Sequence, residues 1–199
     1  SWPPEEPGFA AYQGVTMEVR RGEVLAVGMD GGSDPVSLAR VFAGVRQPVQ
    51  GGVYLGNANA ADLNEKALYA GVRLMGRGLP FPRGTVRENI AAGCGDITDY
   101  AVVQAATDAL LHDSILRRAQ GYDTPAASLS AGEKILLEFA CAFARGTPFL
   151  VSAGATDVLD GVTERKLVDA LRRRDTGAVF LNAQPELMRR ADVVCRIEN

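Results

Sequence analysis

The chain has 199 residues, of which 47% are apolar and 23% charged, with a formal net charge of −3. That balance supports one sizeable core and excludes a disordered tail, a collagen-like fibre and a disulfide scaffold. It also argues against bulk nucleic-acid binding, which leaves a basic footprint. No apolar run is long enough to span a bilayer, and no charged-then-apolar secretory pattern opens the chain. Ser1 to Gly8 reads as a linker or excision boundary. Cys94, Cys141 and Cys195 are widely spaced and odd in number, which reads as buried thiols in a reducing compartment. The single histidine, His112, cannot build a histidine metal site by itself.

Val15-Thr16-Met17-Glu18-Val19 alternates apolar and polar residues, the pattern of a half-buried strand. Val24 to Val27 is a short apolar run ending in glycine, as in a strand covered on both faces. A loop from Gly28 to Pro35 follows, and then helical spacing from Val36 to Ala43. Strand, glycine-rich loop and helix in that order is the local context of a phosphate-binding loop. Further strands are expected at Gly51–Leu55, Gly71–Met75, Phe149–Val151, Ala178–Leu181 and Asp192–Ile197. Helices are expected at 85–93, at 98–119 with Val102, Val103, Ala106, Leu110 and Leu111 as its apolar stripe, from after 129 to Ala144, over Val162–Arg173, and over Pro185–Ala191. Alternating strands and helices argue an α/β fold with a mixed or parallel sheet.

The order of short motifs carries a resemblance. Phe81-Pro82-Arg83-Gly84-Thr85-Val86-Arg87-Glu88-Asn89-Ile90, Gly121-Tyr122-Asp123-Thr124, Leu129-Ser130-Ala131-Gly132-Glu133, Val158-Leu159-Asp160 and Pro185-Glu186-Leu187 stand in sequence after the loop. In this the chain resembles the nucleotide-binding domain of an ABC transporter of the exporter type, over nearly its whole length. The resemblance implies a P-loop NTPase, RecA-like core at about 9–76 and 134–199, a helical subdomain at about 77–133, and a linker at 1–8. Leu129 to Glu133 is similar to the family's LSGGQ signature, and Asp157, Leu159 and Asp160 lie in its D-loop.

Against that family the chemistry departs position by position. A phosphate loop needs glycines whose amides cradle phosphate, a lysine for the β and γ phosphates, and a hydroxyl for Mg²⁺. Here Gly28, Gly31 and Gly32 are kept, with Asp30, Ser33 and Ser37, but Asp34 or Pro35 stands where lysine is expected. Ser33-Asp34-Pro35 reads as a helix start with Asp34 at N-cap and Pro35 at N1, so the carboxylate takes the amides that phosphate would use. One carboxylate about 4 Å from one phosphate charge repels it by roughly 4 kcal/mol at an effective dielectric of about 20. The family's acidic pair, which holds Mg²⁺ and polarises water, aligns with Ala153 and Gly154. Its Q-loop glutamine aligns with Arg77 and its switch histidine with Ala183. Trp2, Phe9 and Tyr12 are candidates for stacking on adenine or for packing.

The signature remains. In the family it acts in trans, closing over nucleotide held by a second domain, and the Ser130 hydroxyl and Gly132 amide suit contact with a γ-phosphate. The same residues also form a capping box, Ser130 with Glu133, which needs no nucleotide. The stretch between Pro125 and Leu129 is shorter than in exporters. The resemblance therefore implies a pseudo-ATPase half of an exporter. No cofactor is expected at its own site, and ATP and Mg²⁺ would be met only through a partner's. The partners would be another ABC nucleotide-binding domain and a transmembrane exporter domain, with no nucleic acid, at the cytoplasmic inner face of the membrane. The alternative is a scaffold or ligand-binding module that has left transport.

Overall fold

The structure is a computed structural model that describes residues 14–29, 34–76, 83–154 and 156–197. In chain order its elements are β1 (Val24–Met29), α1 (Pro35–Phe42), β2 (Tyr54–Leu55), β3 (Ala58–Asn59), α2 (Glu65–Gly71), β4 (Val72–Gly76), α3 (Val86–Ala91), α4 (Asp99–Asp108), α5 (His112–Leu116), α6 (Ala131–Arg145), β5 (Phe149–Ala153), α7 (Gly161–Arg173), β6 (Gly177–Leu181), α8 (Pro185–Met188) and β7 (Val193–Ile197). Five strands form one sheet in the order β4-β5-β6-β1-β7, and every pairing in it is parallel. The only antiparallel ladder among the described residues is the separate β2–β3 hairpin.

Parallel strands return through helices, so the inner strands β5, β6 and β1 are covered on both faces, while the edge strand β7 leaves Val193 and Val194 exposed. Neighbouring residues feed opposite cores. Leu150, Ala178 and Phe180 join one cluster with Phe139, Ala140 and Phe143 of α6 and Leu167 and Leu171 of α7. Val151, Val179 and Leu181 join the other with Leu38 and Ala39 of α1 and Leu68 of α2. The first cluster continues through Ile90, Val102, Ala106, Leu111 and Ile115: α3 and α4 pack on α6, and α5 packs on α4.

Four expectations are corrected. Residues 15–20 form no ladder among the described residues; the alternation of Val15, Met17 and Val19 instead lays their side chains against the second cluster. The expected helix at 98–119 is two helices. Leu110 adopts φ 62°, its amide donates to Thr107 O at 2.9 Å, and the Leu111 amide donates to Ala106 O at 2.8 Å. That is a Schellman ending, and it drives Leu111 into the core with no exposed surface. The expected strand Gly51–Leu55 narrows to Tyr54–Leu55, and the helix from Pro185 stops at Met188.

Candidate functional site

Pairing brings the carboxyl ends of the strands into one row: Gly76 beside Ala153, Ala153 beside Leu181, Leu181 beside Val27, and Val27 beside Cys195. In open α/β sheets ligands bind at that edge. Gly28 continues β1 past the row, and Gly154 and Ala183 follow β5 and β6 there. Asp30, Gly31, Gly32, Ser33 and Arg77, with Trp2, Phe9 and Tyr12, lie outside the described residues.

The start of α1 closes on itself. Asp34 is its N-cap, and Asp34 Oδ1 accepts from the Val36 and Ser37 amides at 3.0 and 3.2 Å. The Leu38 amide donates to Asp34 O at 3.3 Å. Pro35, at N1, has no N–H to offer. Of the amides that a helix start leaves open to an anion, those of Val36 and Ser37 are therefore taken by the carboxylate, and Pro35 has none. Burial pushes the Asp34 carboxyl up, but hydrogen bonds from Ser37 and the Val36 amide, with Arg40 nearby, outweigh it and hold it below the usual range. It stays ionised at neutral pH, so the start of α1 carries a negative charge.

The other strand ends carry no metal ligand where the resemblance places them. Ala153 is buried, and Gly154 takes φ 61° while its amide donates to Leu181 O at 3.2 Å. The Ala183 amide donates to Val27 O at 3.0 Å. Asp157 crosses this gap: its Oδ2 lies 3.4 Å from where a side chain on Gly154 would begin, and its Oδ1 accepts from Gln184 Nε2 at 3.4 Å. Asp160 caps α7, accepting from the Val162 and Thr163 amides at 2.9 Å each. Leu159 Cδ2 and Val158 O both approach Gly132, each 3.6 Å from where a side chain on that glycine would begin. The D-loop and the start of the signature helix thus touch within one chain.

At the signature, Leu129 is buried while Ser130 and Ala131 are exposed. Both halves of the capping box are present: the Glu133 amide donates to Ser130 Oγ at 3.3 Å, and the Ser130 amide donates to Glu133 Oε2 at 2.9 Å. His112 lies apart from these residues, its Nδ1 2.9 Å from the Tyr122 hydroxyl.

Sequence reasoning missed two buried carboxylates. Glu164, only 4% exposed, has Oε1 without a hydrogen-bond partner among the described residues. Burial pushes its carboxyl up against a hydrogen bond from Thr156, and Asp157, Glu186 and Asp160 push it further. Glu138 of α6 faces Arg73 of β4. Burial pushes its carboxyl up to about 7, with Arg73 and the Gly76 amide opposing. A charged residue at a core-facing helical position was the available signal for both.

The family model for ABC transporters matches residues 12–153. The chain is 32% identical over 197 residues to the mycobactin import ATP-binding/permease protein IrtA of Mycolicibacterium smegmatis, covering 96% of this chain and 23% of that protein. It is 29% identical over 180 residues to the mitochondrial iron-sulfur clusters transporter ABCB7 of Oryzias latipes, covering 87% of this chain and 24% of that one. The chain thus spans about a quarter of the length of these relatives. A solved bacterial Atm1-family ABC exporter with ATP bound superimposes with a TM-score of 0.83 at 23% identity, over 94% of this chain and 34% of that one.

Proposed function

Because the chain belongs to the ABC transporter family, we propose that it is a degenerate nucleotide-binding domain of an exporter: it does not hydrolyse ATP by itself and offers its LSAGE signature in trans to an intact partner domain. The single observation that carries this reading is the capture of the Val36 and Ser37 amides by the Asp34 carboxylate, with Pro35 beside it. A phosphate group needs those amides and a nearby cation. Mg²⁺ needs oxygen ligands, and Ala153 and Gly154 supply none from their side chains. These residues do not fit a magnesium triphosphate, and no catalytic step is assigned to this chain.

The signature is the part that still suits phosphate. Ser130 is exposed at the N-terminus of a 15-residue helix, where the dipole favours an anion, and the first-turn amides of Ala131 and Gly132 have no acceptor among the described residues. The names of the relatives, an ATP-binding/permease protein and a transporter, support a transmembrane exporter domain as the second partner and the cytoplasmic face of the membrane as the location.

Two measurements test the reading. Calorimetry with millimolar Mg-ATP on this chain is expected to show no binding, and micromolar affinity or turnover by the chain purified alone would overturn the degenerate assignment. Ser130→Arg, placed in the full-length protein purified with its intact partner domain, is expected to abolish most ATPase activity. Unchanged activity would remove the trans role and leave the scaffold alternative.

A further inference from the structure

Glu133 raises a difficulty for any trans contact, since it sets a carboxylate in the first turn of the helix whose amides would meet a partner's phosphate. Like charges in that position repel. The fold supplies an answer from outside the signature. Arg118, fifteen residues upstream, donates from Nη2 to Glu133 Oε2 at 2.6 Å, the same oxygen that takes the Ser130 amide. The two side chains are 31% and 17% exposed, so the pair is only partly screened by water.

Arg118 is held in place by its backbone. It follows α5, its amide donates to Ile115 O at 3.0 Å, and its carbonyl accepts from the Gly121 amide at 3.0 Å. Ile115 and Tyr122 on either side are buried in the first core cluster. The guanidinium is therefore delivered to the signature by a fixed turn rather than by a free surface arm. Burial pushes the Glu133 carboxyl up, but the Ser130 contacts and Arg118 outweigh it, which keeps the group ionised and paired. Ser130 Oγ meanwhile accepts from the Glu133 amide, and its hydroxyl also favours the ionised Glu133 carboxylate.

The geometry points to Arg118 as a positioning residue for the signature: it holds Glu133 as a neutral pair against the capping box, so that Ser130 and Gly132 can meet a phosphate without an uncompensated carboxylate beside them. This rests on the trans role proposed above. It also explains how the chain carries glutamate there, because the negative charge is cancelled within the same chain.

The test is a charge-rescue cycle in the full-length protein purified with its intact partner domain, reading ATPase activity against Mg-ATP concentration. Arg118→Met is expected to raise KM for ATP about tenfold, the order that one uncompensated charge several ångströms away produces at intermediate dielectric. KM should change more than kcat, and about 1 M salt should narrow the gap. Arg118→Lys keeps the charge and is expected to stay within a few-fold of the parent. Arg118→Met combined with Glu133→Gln is expected to return KM to within about twofold, since the unpaired carboxylate has gone. Arg118→Gln replaces Arg118→Met if the latter does not fold. A silent Arg118→Met, or a double variant as impaired as the single one, overturns the inference. If Ser130→Arg abolishes activity while Arg118→Met is silent, only Arg118 loses its role; if Ser130→Arg is itself silent, the trans reading fails first.

Discussion

Glu138 shows what one residue contributes when its charge is buried. It sits on the signature helix against Arg73 and the end of β4, with Glu138 Oε2 and Arg73 Nε both buried and lacking hydrogen-bond partners among the described residues. Its carboxyl is raised to about 7 in the fold, chiefly by burial, from an ordinary value of 4.5. A carboxyl raised by folding contributes stability that is complete below the unfolded value and is lost as pH rises through the folded one. Unfolding free energy should therefore fall between about pH 5 and pH 8 through this group, by on the order of 2 kcal/mol. In Glu138→Gln that slope should largely disappear, as followed by urea denaturation across the same range. An unchanged slope would show that Glu138 is ionised and well solvated. Asp34 obeys the opposite sign: its lowered carboxyl adds stability that is lost on acidification, so the two groups favour different ends of the pH scale.

At the scale of elements, four helices end in the same way with three residue types. Gly44 after α1, Leu110 after α4, Gly146 after α6 and Asp175 after α7 all take positive φ, at 70°, 62°, 63° and 52°. Each is followed by an amide that reaches back into the helix: Val45 to Arg40 O, Leu111 to Ala106 O, Thr147 to Ala142 O and Thr176 to Leu171 O. Only Gly44 and Gly146 carry the residue that makes such an ending legible in sequence. Leucine at Leu110 hides the break, which is why the pattern at 98–119 reads as one helix. Nothing lies within 4 Å of a methyl added at Gly146, so Gly146→Ala isolates backbone strain. It should destabilise the protein by about 1 kcal/mol, measured by chemical denaturation, with no change in the signature contacts. A neutral effect would mean that the end of α6 relaxes freely.

At the scale of the whole molecule, the residues that bear on nucleotide chemistry converge from β1, β5 and β6 because parallel strands point their carboxyl ends the same way. The proposed loss is accordingly spread over separate segments: Asp34 and Pro35 at α1, Ala153 and Gly154 after β5, and Ala183 after β6. Restoring one part should not restore the function. Pro35→Lys is expected to leave Mg-ATP binding undetectable by calorimetry at millimolar ligand, because Asp34 still takes its amides and β5 still offers no metal ligand. Micromolar binding by that single variant would show the remaining cradle to be intact.

The family came from the resemblance of its motifs, whereas local chemistry was enough, from the residues alone, to determine the apolar runs of β1, β5 and β6, the Asp34–Pro35 helix start and the Ser130–Glu133 capping box. Each depends on neighbours a few residues apart, and such short-range preferences are written directly in the chain. Only the tertiary structure decided that residues 15–20 pack without a ladder among the described residues, that Leu110 breaks a helix, and that Arg118 reaches Glu133 and Arg73 faces Glu138. Those outcomes depend on which distant surfaces come together and on whether a charge keeps its water. Neither is set by spacing along the chain.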